Sequence, residues 1–202
     1  MVDGSYQPIQ SEDEIRRRLS DVGYVLIHPP KTAGGSVQEW LGDQYATGHL
    51  TSMRLREILG DDHWHALHKI GIVRNPFDRV VSWFHHHRQH IPFSSFSEWV
   101  KAGLPVDWPE EWRGKDQEHD PLMLTTWFCN NDGGICLNQI VKFEELDGGC
   151  RFISHAIGRE YTGLGRRNAT EHEPYWTYYN DMTREIVAER FARDIKMFKY
   201  AF

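Results

Sequence analysis

The segment YVLIHPPKTAGGSVQEWLG constrains this chain more than any other. It opens on an apolar run of strand length, residues 24–28. A loop rich in breakers follows, PPKTAGGS. Val37, Trp40 and Leu41 then fall at i, i+3 and i+4, the spacing of a helix face, and Gly42 can end that helix. A strand that runs through a glycine-containing loop into a helix is a phosphate cradle in principle. The first N–H groups of the helix point outward, and its dipole favours an anion. Lys31 adds a mobile positive charge, and Thr32 and Ser36 add hydroxyl donors. The Walker pattern GxxxxGK[ST] is absent, because Lys31 precedes Gly34 and Gly35 instead of following them. A nucleotide kinase built on that pattern is disfavoured. The plain alternative is that Gly34 and Gly35 only make a tight turn.

A strand-to-helix passage recurs at KIGIVRNPFDRVVSWF. Residues 69–75 read as a buried strand, Asn75 as a helix cap and Pro76 as the first helical residue. Phe77, Val80, Val81 and Phe84 at i, i+3, i+4 and i+7 form a core face. Arg74 ends the strand, and Ser82 lies off that face, beside Asp78 and His85. An arginine can fork onto a phosphate and a serine hydroxyl can add a bond. The alternative is Arg74 paired with Asp78 and a solvated Ser82.

The rest of the chain alternates in the same way. Ser11 and Glu14 suggest a capping box, and Thr51 starts a helix carrying Leu55, Ile58 and Leu59 that Gly60 closes. Residues 94–100, 122–129 and 151–157 read as helices, and 135–143 as a strand. A last helix begins near Asn180 and carries Val187, Phe191, Ile195 and Phe198. Strands alternating with helices predict an α/β fold with a central, mainly parallel sheet flanked by helices. With 202 residues, the expectation is a single domain over 1–202, large enough to need no disulfide or metal. Residues 104–121, LPVDWPEEWRGKDQEHDP, break the pattern and predict a long irregular loop of the binding or lid type.

Charge and cysteine usage narrow the partners. Asp plus Glu number 29 against 23 Lys plus Arg, a net charge of −6, which argues against a general nucleic-acid or anionic-membrane binder. No apolar run can span a bilayer, and MVDGSYQPIQSEDEIRRRLS has no secretory pattern, so a cytoplasmic location is expected. Cys129, Cys136 and Cys150 read as reduced thiols, with a Cys129–Cys136 bridge as the minority case.

Together, HPPKTAGGS and IVRNPFDRVVSWF closely resemble the sulfotransferases that use 3′-phosphoadenosine 5′-phosphosulfate (PAPS). The branch resembled is the carbohydrate type, with the heparan sulfate 2-O-sulfotransferases and bacterial relatives. The likeness continues through VKFEEL, RRNAT and the ending YYNDMTREIVAERFARDIKMFKY, and is weakest over 94–137. It implies a P-loop-like three-layer fold without a Walker lysine. It implies that Lys31 contacts the bridging oxygen and the transferring sulfuryl group. The backbone around Ala33, Gly34, Gly35 and Ser36, with the Thr32 and Ser36 hydroxyls, would hold the 5′-phosphate. Arg74 and Ser82 would hold the 3′-phosphate. Arg166, Arg167 and Asn168 fall where the family often has a second cofactor loop. Gly35 stands where the family usually has Thr, so one hydroxyl contact is missing.

Sulfuryl transfer needs an acceptor hydroxyl to lose its proton, and histidine is the natural base near neutral pH. Of 12 histidines, His49 in TGHLT matches the base of the 2-O-sulfotransferase branch and precedes the Thr51 cap. His63, His65, His68 and Glu144 are rivals. His86 and His90 have a metal-like i, i+4 spacing, but no HExxH pattern and no third ligand accompany them, and no metal is expected. The expected reaction transfers the sulfuryl group of PAPS to a hydroxyl, leaving 3′-phosphoadenosine 5′-phosphate (PAP). A small molecule or carbohydrate is the expected acceptor, and Trp108 and Trp112 of the 104–121 loop could stack on it. The rivals are an ATP-dependent phosphotransferase with a variant phosphate loop and a PAPS-binding domain without turnover.

Overall fold

The computed structural model describes residues 11–42, 47–106, 120–130, 132–165 and 172–202. Its centre is a parallel sheet in the order β1 (Tyr24–Ile27), β2 (His68–Val73), β3 (Gln139–Lys142). Tyr24 pairs with His68 and Ile27 with Gly71; Ile70 pairs with Gln139 and Val73 with Lys142. Successive strand side chains point to opposite faces, and each face has its own core. Val25, Ile27 and Val73 join one core with Leu55, Phe77, Val81, Trp127 and Phe191. Leu26, Ile70, Ile72 and Val141 join the other with Val37, Trp40, Cys150 and Ile153. The α/β three-layer expectation is what the chain adopts.

Helices α1 (Glu12–Leu19), α2 (Gly34–Leu41), α3 (Ser52–Leu59) and α4 (Asp61–Ala66) fill the first half with β1. Ser11 caps α1 by accepting from the Glu14 N–H, but Glu14 turns its carboxylate to Arg17 and Arg18, so only half of the capping box forms. Thr51 caps α3 through the Arg54 N–H, as expected. Helix α4 was not legible as a separate element; it buries Trp64.

After β2, α5 (Pro76–His86) begins at the Asn75 cap with Pro76 in its first turn. It is buried nearly all round, Arg79, Ser82 and Trp83 included. Helices α6 (Phe96–Lys101) and α7 (Thr125–Phe128) follow. The expected helix over 122–129 shrinks to α7 because Asp194 takes the Leu124 and Thr125 N–H groups at 2.6 and 2.8 Å. The expected strand over 135–143 shrinks to β3. Ile135 instead bridges back to Cys129, and residues Phe143–Glu145 turn as a 3₁₀ helix. Leu137 lies across the central strand, where a Cβ on Gly71 would sit 2.2 Å from its Cδ1. Cys129 pairs with Ile135, and the Cys136 backbone N–H donates to the Phe128 carbonyl. All three cysteines are free.

Helix α8 (Leu146–Ile157) covers the second core. The single last helix of the expectation is two, α9 (Asp181–Arg190) and α10 (Ala192–Phe198), with a break at buried Phe191. Among the described residues no helix is long and apolar enough to cross a membrane.

Candidate functional site

The loop after β1 is shaped by what its carbonyls do. The Thr32 hydroxyl, 0% exposed, donates to the Pro29 carbonyl at 2.7 Å. Arg79 Nε donates to the Pro30 carbonyl at 2.9 Å, and Arg74 Nη1 donates to the Lys31 carbonyl at 3.1 Å. Across a trans peptide the C=O and N–H point opposite ways. Drawing the Pro30 and Lys31 carbonyls inward therefore turns the Lys31 and Thr32 N–H groups the other way. Lys31 at φ 66° and Ala33 at φ 62° both lie in the left-handed region. For non-glycine residues that costs about 1–2 kcal/mol each, and such strain gathers at ligand sites.

Helix α2 starts straight from this loop. Ala33 has no side-chain oxygen to cap it, and no cap bond forms. Its first N–H groups keep the partial positive charge of a helix N-terminus. Strained left-handed residues leading into an uncapped N-terminus are the geometry of a backbone anion nest. Gly34 makes it possible. A Cβ there would lie 2.1 Å from Cγ of His28, whose ring packs against the start of α2. Gly35 has open space instead.

The second anchor adjoins the first. Arg74 Nε and Nη2 each lie 2.9 Å from Asp78 Oδ2, and the guanidinium stacks 4.3 Å above the Phe143 ring. Among the described residues, two of its five N–H groups make hydrogen bonds, to Asp78 and to the Lys31 carbonyl, and Nη2 adds an ion-pair contact, so donors on both Nη atoms remain. The pairing with Asp78 thus exists without exhausting Arg74. Asn75 is held from both sides: its N–H donates to Glu144 Oε1 and its Nδ2 to the Ala201 carbonyl, each at 2.8 Å. Tyr200 donates to the other Glu144 oxygen at 2.9 Å. Glu144, a rival base in the sequence, is a clamp. Ser82, further along α5, is 3% exposed and sits beneath the surface.

His49 packs against the entrance of the loop. Its Nδ1 donates to the His28 carbonyl at 3.2 Å, which leaves the lone pair on Nε2. Its ring meets His28 edge-on at 5.0 Å. Burial, then the neighbouring His28 ring, hold its pKa down to about 3; the bond to the His28 carbonyl opposes this, and Arg79 adds a smaller downward push. His28 bonds Gln38 Oε1 at 3.2 Å through Nε2, while its buried Nδ1 has no hydrogen-bond partner among the described residues. Burial brings its pKa to about 4. Both rings are therefore neutral near pH 7. His63 and His65 face the backbone of Leu19 and Asp61, and His68 stacks edge-on against Tyr24. His87 stacks on Trp83 at 4.5 Å; burial, followed by the charges of His86, Lys31 and His90, lowers its pKa to about 4. Among the described residues no group of three or more His, Cys, Asp or Glu could hold a metal ion.

Beside α2 opens a cleft of about 350 Å³, lined by Ser36, Trp40, Arg159 and Thr162 among others. Trp40 is fixed there by donating to the Glu160 carbonyl at 3.0 Å. The lining ends at Gly165, and the candidates Arg166, Arg167 and Asn168 lie outside the described residues, as does 107–119 of the expected loop. The structure thus gathers residues 31–36, Arg74 and His49. It also adds Arg79 and His28, which sequence reasoning passed over. Arg79 carried no such signal in the sequence, because Asp78 precedes it and Asn75 and Ser82 lie at i−4 and i+3 on the same helix, as on a polar face.

The model of the sulfotransferase family matches residues 46–201, more than half of the chain. No curated protein and no solved structure matches.

Proposed function

Because the chain belongs to the sulfotransferase family, we propose that it transfers the sulfuryl group of PAPS to an acceptor hydroxyl and releases PAP. The observation that carries this reading is the pair of arginines tying the phosphate loop to the second anchor. Arg74 and Arg79 hold the Lys31 and Pro30 carbonyls, so two anion-binding elements are built as one unit. A donor with a 5′-phosphosulfate and a 3′-phosphate needs two such elements side by side.

In this reading the N–H groups of residues 31–35 and the Ser36 hydroxyl hold the 5′-phosphate, while the Ser36 N–H goes to the Ala33 carbonyl and the Thr32 hydroxyl serves the loop itself. Arg74, with Ser82, takes the 3′-phosphate through its remaining fork. The cleft beside Trp40 gives the nucleoside room, and Arg166 and Arg167 beyond it complete the donor contacts. His49 Nε2 accepts the acceptor's proton as its oxygen attacks sulfur. The bond between sulfur and the 5′-phosphate oxygen breaks, and Lys31 neutralises the charge left on that oxygen. A neutral His49 is ready to accept, and the negative charge of the donor raises its affinity for the proton. No step calls for a metal.

The acceptor class is a hydroxyl-bearing small molecule or carbohydrate. We place it on the side of the 104–121 segment, within a single 1–202 domain. Arg190 ties the described ends of that segment together, through the Gly103 and Leu104 carbonyls and Asp120. Incubation with sulfur-labelled PAPS and a panel of phenols and sugars tests the reading. Label transferred with stoichiometric PAP is expected; phosphate transfer from Mg–ATP instead would overturn it.

A further inference from the structure

Arg79 is 1% exposed, yet among the described residues it makes no ion pair. Its guanidinium is spent on three carbonyls: Pro30 through Nε at 2.9 Å, Leu122 through Nη1 at 2.6 Å and Pro121 through Nη2 at 3.0 Å. Burying a charge that has no ion pair is unfavourable, and an apolar side chain would fill this place more cheaply. Burial lowers the Arg79 pKa to about 10, against the pull of Asp194 and Asp120, so the charge persists at neutral pH.

What the charge achieves is visible in its partners. Pro30 opens the phosphate loop, and Pro121 and Leu122 lie at the far end of the segment that Arg190 closes. The Pro30 bond sets the peptide that turns the Lys31 N–H outward. It also braces Lys31 at its left-handed φ of 66°. A rigid planar fork spreads its donors over three nitrogens and so spans two segments; an ammonium has all its donors on one nitrogen.

We propose that Arg79 is a positioning residue for the sulfuryl donor: without touching it, Arg79 holds residues 30–32 in their anion-binding form and fixes them to Pro121 and Leu122. This rests on the reading that the loop holds the 5′-phosphosulfate. The test compares wild type, Arg79→Lys and Val81→Ala by PAP titration, thermal unfolding and hydrogen exchange of a peptide spanning 29–36. Val81 is fully buried on the same helix and touches neither segment through hydrogen bonds, so its variant reports destabilisation alone.

The expected result is a PAP Kd raised about tenfold or more in Arg79→Lys, with faster exchange in 29–36. Val81→Ala, at a similar loss of Tm, keeps the wild-type Kd. Wild-type affinity in Arg79→Lys would overturn the assignment while leaving the donor reading intact. No PAP binding by the wild type would overturn the donor reading and this one with it. If Arg79→Lys does not fold, Arg79→Gln carries the same comparison. Failure of both to fold would make Arg79 a core residue only and would also overturn the assignment.

Discussion

Gly34→Ala and Gly35→Ala, one residue apart, are expected to act in opposite directions. An alanine Cβ at 34 would lie 2.1 Å from His28 Cγ and 2.2 Å from its Nδ1. Carbon atoms rest at about 3.5–4.0 Å, so the ring or the helix start must move by more than an ångström. His28 has little room to give. It is 5% exposed, bonded to Gln38 through Nε2, and its carbonyl accepts from His49. Overpacking of this kind costs about 1–3 kcal/mol, which for a chain of this length lowers Tm by about 2–12 °C. At 35 nothing among the described residues lies within 4 Å, and φ is not positive. Exchanging glycine for alanine inside a helix gains up to about 1 kcal/mol, less in the first turn, so Tm should rise slightly. Gly35→Thr restores the hydroxyl that the resemblance leads one to expect, so it should tighten PAP. Thermal unfolding followed by circular dichroism reads the two alanine variants, and PAP titration reads Gly35→Thr. Equal Tm values for Gly34→Ala and wild type, or a larger loss at 35 than at 34, would refute the packing argument.

Removing the proposed base, His49→Gln, should lower kcat by about 10²–10⁴ while PAP affinity stays near wild type; initial rates at saturating donor measure it, and a change below tenfold would remove His49 from the chemistry. Lys31→Ala should lower kcat by about 10²–10³ in the same assay. Stability should fall with acid earlier than carboxylates alone require. The folded pKa values of His28, about 4, and His49, about 3, lie below the ordinary 6.5. The unfolded chain therefore binds more protons, so stability is full above about pH 6.5 and falls as pH drops, by about 1.4 kcal/mol per unit for each histidine. Urea unfolding at pH 7.5, 6 and 5 measures this slope, and a flat profile would contradict the burial of neutral rings.

The parts of the site that sequence made legible are those written in local pattern. Residues 24–42 declare a strand, a loop and a helix by their periods and breakers, and Asn75 and Pro76 mark the start of α5. What stayed hidden depends on partners distant in sequence. Arg79 binds carbonyls more than forty residues away in either direction, and a backbone carbonyl has no sequence signature. Asp194 shortens α7 from seventy residues off, which no propensity at 122–129 encodes. Phe191 reads as part of a continuous helical stripe, and it is buried as that stripe implies, but the helix divides at it. The strand over 135–143 misled because Ile135 carries the right residue type for pairing but pairs with Cys129 instead of β2.

Calorimetric titration of the metal-free protein with PAP, with AMP and ATP as controls, tests the donor reading most directly. Saturable binding of PAP over both controls is expected, weakened about thirtyfold or more in Arg74→Ala through loss of a charged phosphate fork. No heat with PAP, or a preference for Mg–ATP, would contradict it.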